Sequence, residues 1–453
     1  MRENRMPAPD PEKQNMRNPA RQGRSGLCSF AVIRQYGVAT LAALLAVAVA
    51  PAAAEPTEMS LWRHEALTEE LEAGLASIRR FNNSQSRWRI NVETLPQRTY
   101  TSAITAAALA GQLPCVLDLD QPVVPNFAWS GHLRPLDDLL AETTLGALSD
   151  GAKGAYKDRI YSVGQFDVVL LLFSRRSELQ RYGVRTATMN DPYTADEFLQ
   201  ILRAIKAERP DLFPLDVNSK DGGEWISYGF SPWIQSAGGD LIDRQTYNDA
   251  SSYINGDAAV RVANWYQTLF RERLSEEKTV DNQALVQGRS IFHYTGSWDA
   301  KRYLDRFGDD LVFMPPPDFG KGPKVGAGSW HWGVSTSCEH PEGAAEFIEF
   351  LLSPEEIAAM SEARSLVPTT EAGANASRDF GVDDPLRRLY EYAQAYAVKR
   401  PETPGYPKIS AAMEKAFQDI KYGKNVNQAL DIAAASINYD IRRNRGYGFK
   451  DEN

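Results

Sequence analysis

Cysteine is nearly absent from this chain: Cys28, Cys115 and Cys338 are the only three in 453 residues. So few cannot build a disulfide framework or a four-thiolate zinc site. The five histidines, His64, His132, His293, His331 and His340, show no metal-ligand spacing, so no metal and no cofactor is expected. GxSxG, HExxH, P-loop, CxxC and GxGxxG patterns are missing too, which removes the common signatures of nucleophilic, metal and nucleotide chemistry. Long apolar runs are also scarce. The one that stands out, residues 38–50, is too short to span a bilayer comfortably.

That run follows a basic start and Arg34 and is followed by Ala52-Ala53-Ala54, a small-residue cleavage site before Glu55, so residues 1–54 are expected to be an export signal. Its leader is long, and Met16 is an alternative start. Cys28 precedes the apolar run, which argues against a lipoprotein site. Setting aside the 7 basic and 3 acidic residues of this segment from the chain's 50 and 59 leaves 43 and 56, a net charge of −13. A surface so acidic discourages nucleic-acid binding. Cys115 and Cys338 remain after processing. An exported location permits them to pair, but two cysteines so far apart do not imply it.

Residues 59–64 read as a first strand, and Leu67, Leu71, Leu75, Ile78 and Phe81 behind it form a helical stripe expected to face a sheet. A strand at 88–94 and a helix at 100–110 repeat the pattern, and 113–120 (LPCVLDLD) is a buried strand ending in carboxylates. Strands alternating with helices predict an α/β chain with mostly parallel sheets, where ligands lie beyond the carboxyl ends of strands. That places Trp62, His64, Asp120 and Gln121 on the ligand rim. Residues 159–174 form two strand-like halves separated by Gly164-Gln165, read as a first crossing into a second lobe. Thr194 to Glu197 and Ser353 to Glu356 are capping boxes.

Residues 287–367 hold the densest pattern: QGRSIFHYTGSW, a strand stopped by three prolines, the Gly-rich VGAGSWHWGVS, then HPEGAAEFIEFLLSPE and a VP turn. This order resembles the bacterial extracellular solute-binding proteins of the maltose-binding-protein class, the ligand-capturing subunits of ATP-driven importers. The likeness runs from about residue 57 to about residue 439. It implies a two-lobed periplasmic-binding-protein fold of type II, with discontinuous lobes joined by a hinge. Crossings near Gly164, Gly328 and Pro368 would divide the chain into 55–164 and 329–368 in one lobe and 165–328 and 369–453 in the other.

Nine tryptophans and 19 tyrosines in an acidic exported chain suit stacking on sugar rings, with carboxylates and amides taking the hydroxyls. Trp88 and Trp265 lie inside amphipathic runs and are expected to be structural. Trp298 follows a Gly296-Ser297 turn, and the resemblance makes it a stacking residue. Trp330 and Trp332 alternate with His331, and Trp330 is the one expected at the cleft. The resemblance assigns Asp167 to sugar hydroxyls, against the reading of a hinge carboxylate satisfied by backbone amides. It also places Trp225 and Tyr228 in the second-lobe ligand segment. Arg364 is left between a ligand oxygen and a hinge carboxylate.

The expected function is therefore a monomeric periplasmic binding protein without catalytic residues, capturing a sugar or polyol and delivering it to a membrane permease. A secreted carbohydrate-active enzyme is the alternative, but Asp120 and Asp167 lack evident catalytic partners. The same fold holding an anion, a peptide or ferric iron is a third reading, for which only Arg63 and Arg364 offer local positive charge.

Overall fold

The computed structural model describes residues 55–449, so the export signal read in residues 1–54 lies outside the described residues. Thr57–His64 (β1), Trp88–Leu95 (β2), Val116–Asp120 (β3), Lys153–Tyr156 (β4) and Arg159–Gly164 (β5) come first. After the short crossing strand Phe166–Asp167 (β6) follow Leu170–Arg175 (β7), Leu215–Asp216 (β8), Phe292–Gly296 (β9) and Leu311–Met314 (β10). The chain then passes through Val325–Ala327 (β11) to Trp330–Val334 (β12), and later through Val367–Pro368 (β13) and Ala397–Lys399 (β14).

Two sheets result, one per lobe. The first has the order β2-β1-β3-β12-β5-β4 and the second β10-β7-β9-β8. Between them, β6 pairs with β13 and β11 with β14, two short ladders where the chain crosses from lobe to lobe. The sheets are mixed rather than mostly parallel. β1, β2 and β3 run parallel, but β12 is antiparallel to both β3 and β5. β12 enters from the other lobe, so it runs opposite to strands laid down by local βαβ crossovers. In the second lobe only the β8–β9 pair is parallel.

The helix Thr68–Ser84 shows how packing overrides a simple stripe. Leu67, just before it, is 46% exposed, and Glu70, Gly74, Ser77, Ile78 and Phe81 are the buried positions. Polar and small residues face inward because Arg63 of β1, 2% exposed, lies beneath them; a Cβ at Gly74 would sit 1.8 Å from its Nη1. The Thr194 capping box is complete, each side chain bonding the other's backbone. At Ser353 only half the box forms: the hydroxyl accepts from the Glu356 amide, but the Glu356 carboxylate takes both Nε and Nη2 of Arg80, each at 2.6 Å. Trp265 donates its indole N–H to the Ala195 carbonyl inside the second core, the structural role expected of it. Among the described residues no helix is long and apolar enough to cross a membrane.

Cys115 and Cys338 form a disulfide, their Cα atoms 4.2 Å apart across 223 positions of sequence. The antiparallel register Val116↔Val334 brings the two flanks together, and the Ser335 amide donates to the Cys115 carbonyl at 3.0 Å. Closing so long a loop removes much denatured-state freedom. The double variant Cys115→Ser/Cys338→Ser is expected to lose about 2–4 kcal/mol in urea unfolding, as is the reduced wild type. An unchanged midpoint in both would contradict a stabilising bridge.

Candidate functional site

Where the two lobes meet, the facing side chains are aromatic. On the second lobe, Trp225 and Tyr228 stand on the first two turns of the helix Glu224–Ser236, and Trp298 sits in the tight turn after β9. The Trp298 and Tyr228 rings lie 6.4 Å apart and 30° from parallel, and Trp225 meets Trp298 edge-on at 6.5 Å. These rings are anchored. Trp225 donates its indole N–H to the Val217 carbonyl at 3.1 Å, and the Ser297 amide ties the turn to the Val169 carbonyl at 2.8 Å. Gly296 is required here, since a Cβ would lie 2.1–2.4 Å from three carbons of the Trp298 indole.

On the first lobe the His64 imidazole stacks on the Trp330 indole, centroids 3.6 Å apart and planes within 12°, with Tyr100 edge-on to both. His64 is fixed by its Nδ1 contact with Asp118 Oδ2 at 2.5 Å, and Glu70 Oε1 lies 3.6 Å from Nε2. Trp330 faces Asp120 across the β3–β12 register and packs against the cores of both lobes. Its strand neighbour Trp332 turns into the first core against Phe347. His331 is buried beside Ser162, and burial lowers its pKa to about 3, so it stays neutral.

Arg400 lies between the walls. Its guanidinium, on a residue only 4% exposed, binds Asp120 of the first lobe at 3.0 and 3.3 Å and Glu224 of the second at 2.7 Å. It also donates to the Gly328 carbonyl at 3.0 Å and covers the Tyr228 ring at 4.7 Å. Glu224 receives two further donors, the Tyr406 hydroxyl and the Ser410 hydroxyl. Burial pushes the Asp120 carboxyl up to about 6 against the pull of Arg400. Burial also opposes the charge on Arg400, but the two carboxylates overcome it and hold the guanidinium well above its usual range. Beside this cluster Gln121, fully buried, donates to Glu402 at 3.2 Å and leaves its Oε1 without a donor.

The structure thus sets Asp120 and Tyr228 directly on Arg400, with Gln121 next to Asp120, Trp330 across the register from it with His64 stacked on that indole, and Trp298 beside Tyr228 and Trp225. Three sequence candidates lie differently. Trp62 packs its ring into the cluster of Tyr100, Ile104 and Leu117 and gives its carbonyl to the Tyr100 hydroxyl. Asp167 is 3% exposed in the β6 crossing, accepting from the amides of Val168 and Gly328 at 2.7 and 2.9 Å. Arg364 donates to Glu69 at 3.0 Å, pinning the first turn of Thr68–Ser84 to the end of Pro354–Arg364. Arg400, Glu224 and Tyr406 were missed. The available signal was an arginine heading the proline-rich break at 401–407, two residues before Glu402.

Residues 76–386 match the model of a bacterial extracellular solute-binding protein family. The chain belongs to that family. Among solved structures, this solute-binding protein is similar to the cyclic α-maltosyl-1,6-maltose binding protein of Arthrobacter globiformis, at 23% identity and a TM-score of 0.72, over 86% of this chain and 100% of that one. It is also similar to the maltose/maltodextrin-binding domain of Bdellovibrio bacteriovorus bound to maltotriose, at 17% identity and 0.71, over 85% and 100%. A third is an ABC transporter solute-binding protein of Thermotoga lettingae bound with α-D-tagatose, at 20% and 0.70, over 84% and 99%. At such identities the likeness establishes the two-lobed fold. No curated protein matches the chain.

Burial pushes the Asp167 carboxyl from 3.8 up to about 6, despite the two amides. Between those values the folded chain holds a proton that the unfolded chain has lost. Its contribution therefore favours folding at pH 4 and fades as the pH rises through 6. Asp167→Asn keeps an acceptor oxygen and never ionises. Urea titrations from pH 4 to pH 7 are expected to show the wild type losing up to about 3 kcal/mol relative to this variant. Parallel stability curves would contradict the assignment.

Proposed function

We propose that this chain is the exported, periplasmic substrate-binding component of an ATP-driven importer, which takes up a carbohydrate or polyol and presents it to a membrane permease. The observation that carries the reading is the interlobe contact, with indoles on both lobes and an Asp120–Arg400–Glu224 cluster between them. A pyranose offers an apolar face to such rings and a ring of hydroxyls to such carboxylates. Both acids have accepting capacity beyond their bonds to Arg400. The structural neighbours named above, one a cyclic α-maltosyl-1,6-maltose binding protein and the others bound to maltotriose and to α-D-tagatose, support the same ligand class.

On this reading residues 1–54 are the signal, 55–164 and 329–368 form the first lobe, and 165–328 and 369–453 form the second. The chain acts as a monomer and releases its guest chemically unchanged. Trp298, Trp330 and Trp225 stack on the sugar. Asp120, Gln121, Tyr228 and His64 line its polar edge, while Trp62, Asp167 and Arg364 hold the frame from behind. Lobe closure then follows from the ligand binding both walls at once.

Titration calorimetry against mono- and oligosaccharides and polyols is expected to find a binding guest. Trp298→Ala should weaken it by about 1–3 kcal/mol through lost stacking and apolar burial. Gly296→Ala should act in the same direction by displacing the indole. No heat from any sugar or polyol, or full affinity in a folded Trp298→Ala variant, would overturn the reading.

A further inference from the structure

A recess lies at β8, beside Asp216 and next in sequence to Val217, whose carbonyl anchors Trp225. It has a volume of about 400 Å³, within the range of small-molecule sites, and shares no lining residue with the interlobe contact. Leu212, Phe213, Val280 and Ala284 give it an apolar body. At its end, where β8 terminates, lies Asp216, only 2% exposed.

The polar groups of this recess are unbalanced in one direction. Asp216 Oδ1 accepts from the Asn218 amide at 2.8 Å, but Oδ2 has no donor. His293 Nε2 is 3.9 Å from it and engaged with Asn218 Oδ1 at 3.0 Å. Burial lowers the pKa of His293 to about 3, so it brings no charge to the carboxylate. The Ser290 hydroxyl, also in the lining, is buried and unpaired. Glu276 lines the recess as well, and the bond it makes uses its carbonyl, which accepts from the Ser219 hydroxyl. The cations on the rim are committed: Arg209 forks onto Asp211 at 2.9 and 3.1 Å, and Arg289 is held by Asp281. A buried carboxylate oxygen without a donor is costly. What the site lacks is a hydrogen-bond donor bearing positive charge.

We propose that this recess is a second ligand site, which takes a small organic cation whose primary ammonium bonds Asp216, Ser290 and Glu276 while its apolar body lies on Phe213 and Val280. The site is independent of the interlobe contact, so it stands or falls apart from the transport reading. The test uses the mature chain in titration calorimetry with phenethylammonium, its neutral counterpart phenethyl alcohol, and calcium. Saturable binding of phenethylammonium is expected, with phenethyl alcohol at least tenfold weaker. Asp216→Asn should weaken the ammonium at least tenfold. Should that variant fail to fold, Glu276→Gln, at the rim, should give a loss of at least threefold. Absence of saturable ammonium binding, equal affinity for the alcohol, unchanged affinity in these variants, or binding of calcium alone would each overturn the proposal.

Discussion

One guanidinium holds this molecule to its present shape. Removing an arginine from water costs several kcal/mol, and Arg400 recovers that cost only because acids from both lobes reach it together. Withdrawing either partner would leave a buried, half-compensated charge, a loss on the order of 3–5 kcal/mol. Asp120 is delivered by the end of β3, and Glu224 by the first residue of a helix, where a carboxylate is also favoured by the aligned backbone dipoles. The Gly328 carbonyl supplies the remaining acceptor from a residue at φ +89°, a conformation that suits glycine. Sheet order, helix start and crossing geometry all converge on this contact.

Around that contact the two lobes meet through separate, modest devices. Trp330 packs against both cores, Gln121 reaches Glu402, and Asn126 donates to the Pro404 carbonyl at 2.8 Å. The crossings themselves are thin: β6 and β13 share two residue pairs, and β11 and β14 three. Thin ladders between large cores are where backbone rotation is least costly, so the proposed lobe closure would turn on them. The aromatic walls, by contrast, are fixed by bonds within their own lobes. On the proposed reading a guest would meet preformed surfaces, and the distance between them would be what changes on binding.

Much of this was legible in the sequence because it is local. The alternation of strands and helices, the Thr194 cap, the Gly296-Ser297-Trp298 turn and the split at Gly164-Gln165 each depend on neighbours a few residues away. What escaped depends on partners far along the chain. Arg400 meets Asp120 and Glu224 across 280 and 176 positions. The disulfide needs the β3–β12 register, and Glu356 abandons its own cap for Arg80. On Thr68–Ser84 the stripe was right for Leu75, Ile78 and Phe81, but Gly74 is buried as well because an arginine, invisible to an apolar pattern, sits beneath it. The antiparallel entry of β12 follows from a lobe crossing whose direction no local pattern encodes.

The central claim is that two preformed walls close on a carbohydrate about a thin hinge, with Arg400 between them. Small-angle X-ray scattering of the mature chain, free and saturated with the tightest sugar found by calorimetry, tests it most directly. The account predicts a smaller radius of gyration with the sugar bound than without it. Identical dimensions in the free and saturated states would contradict it.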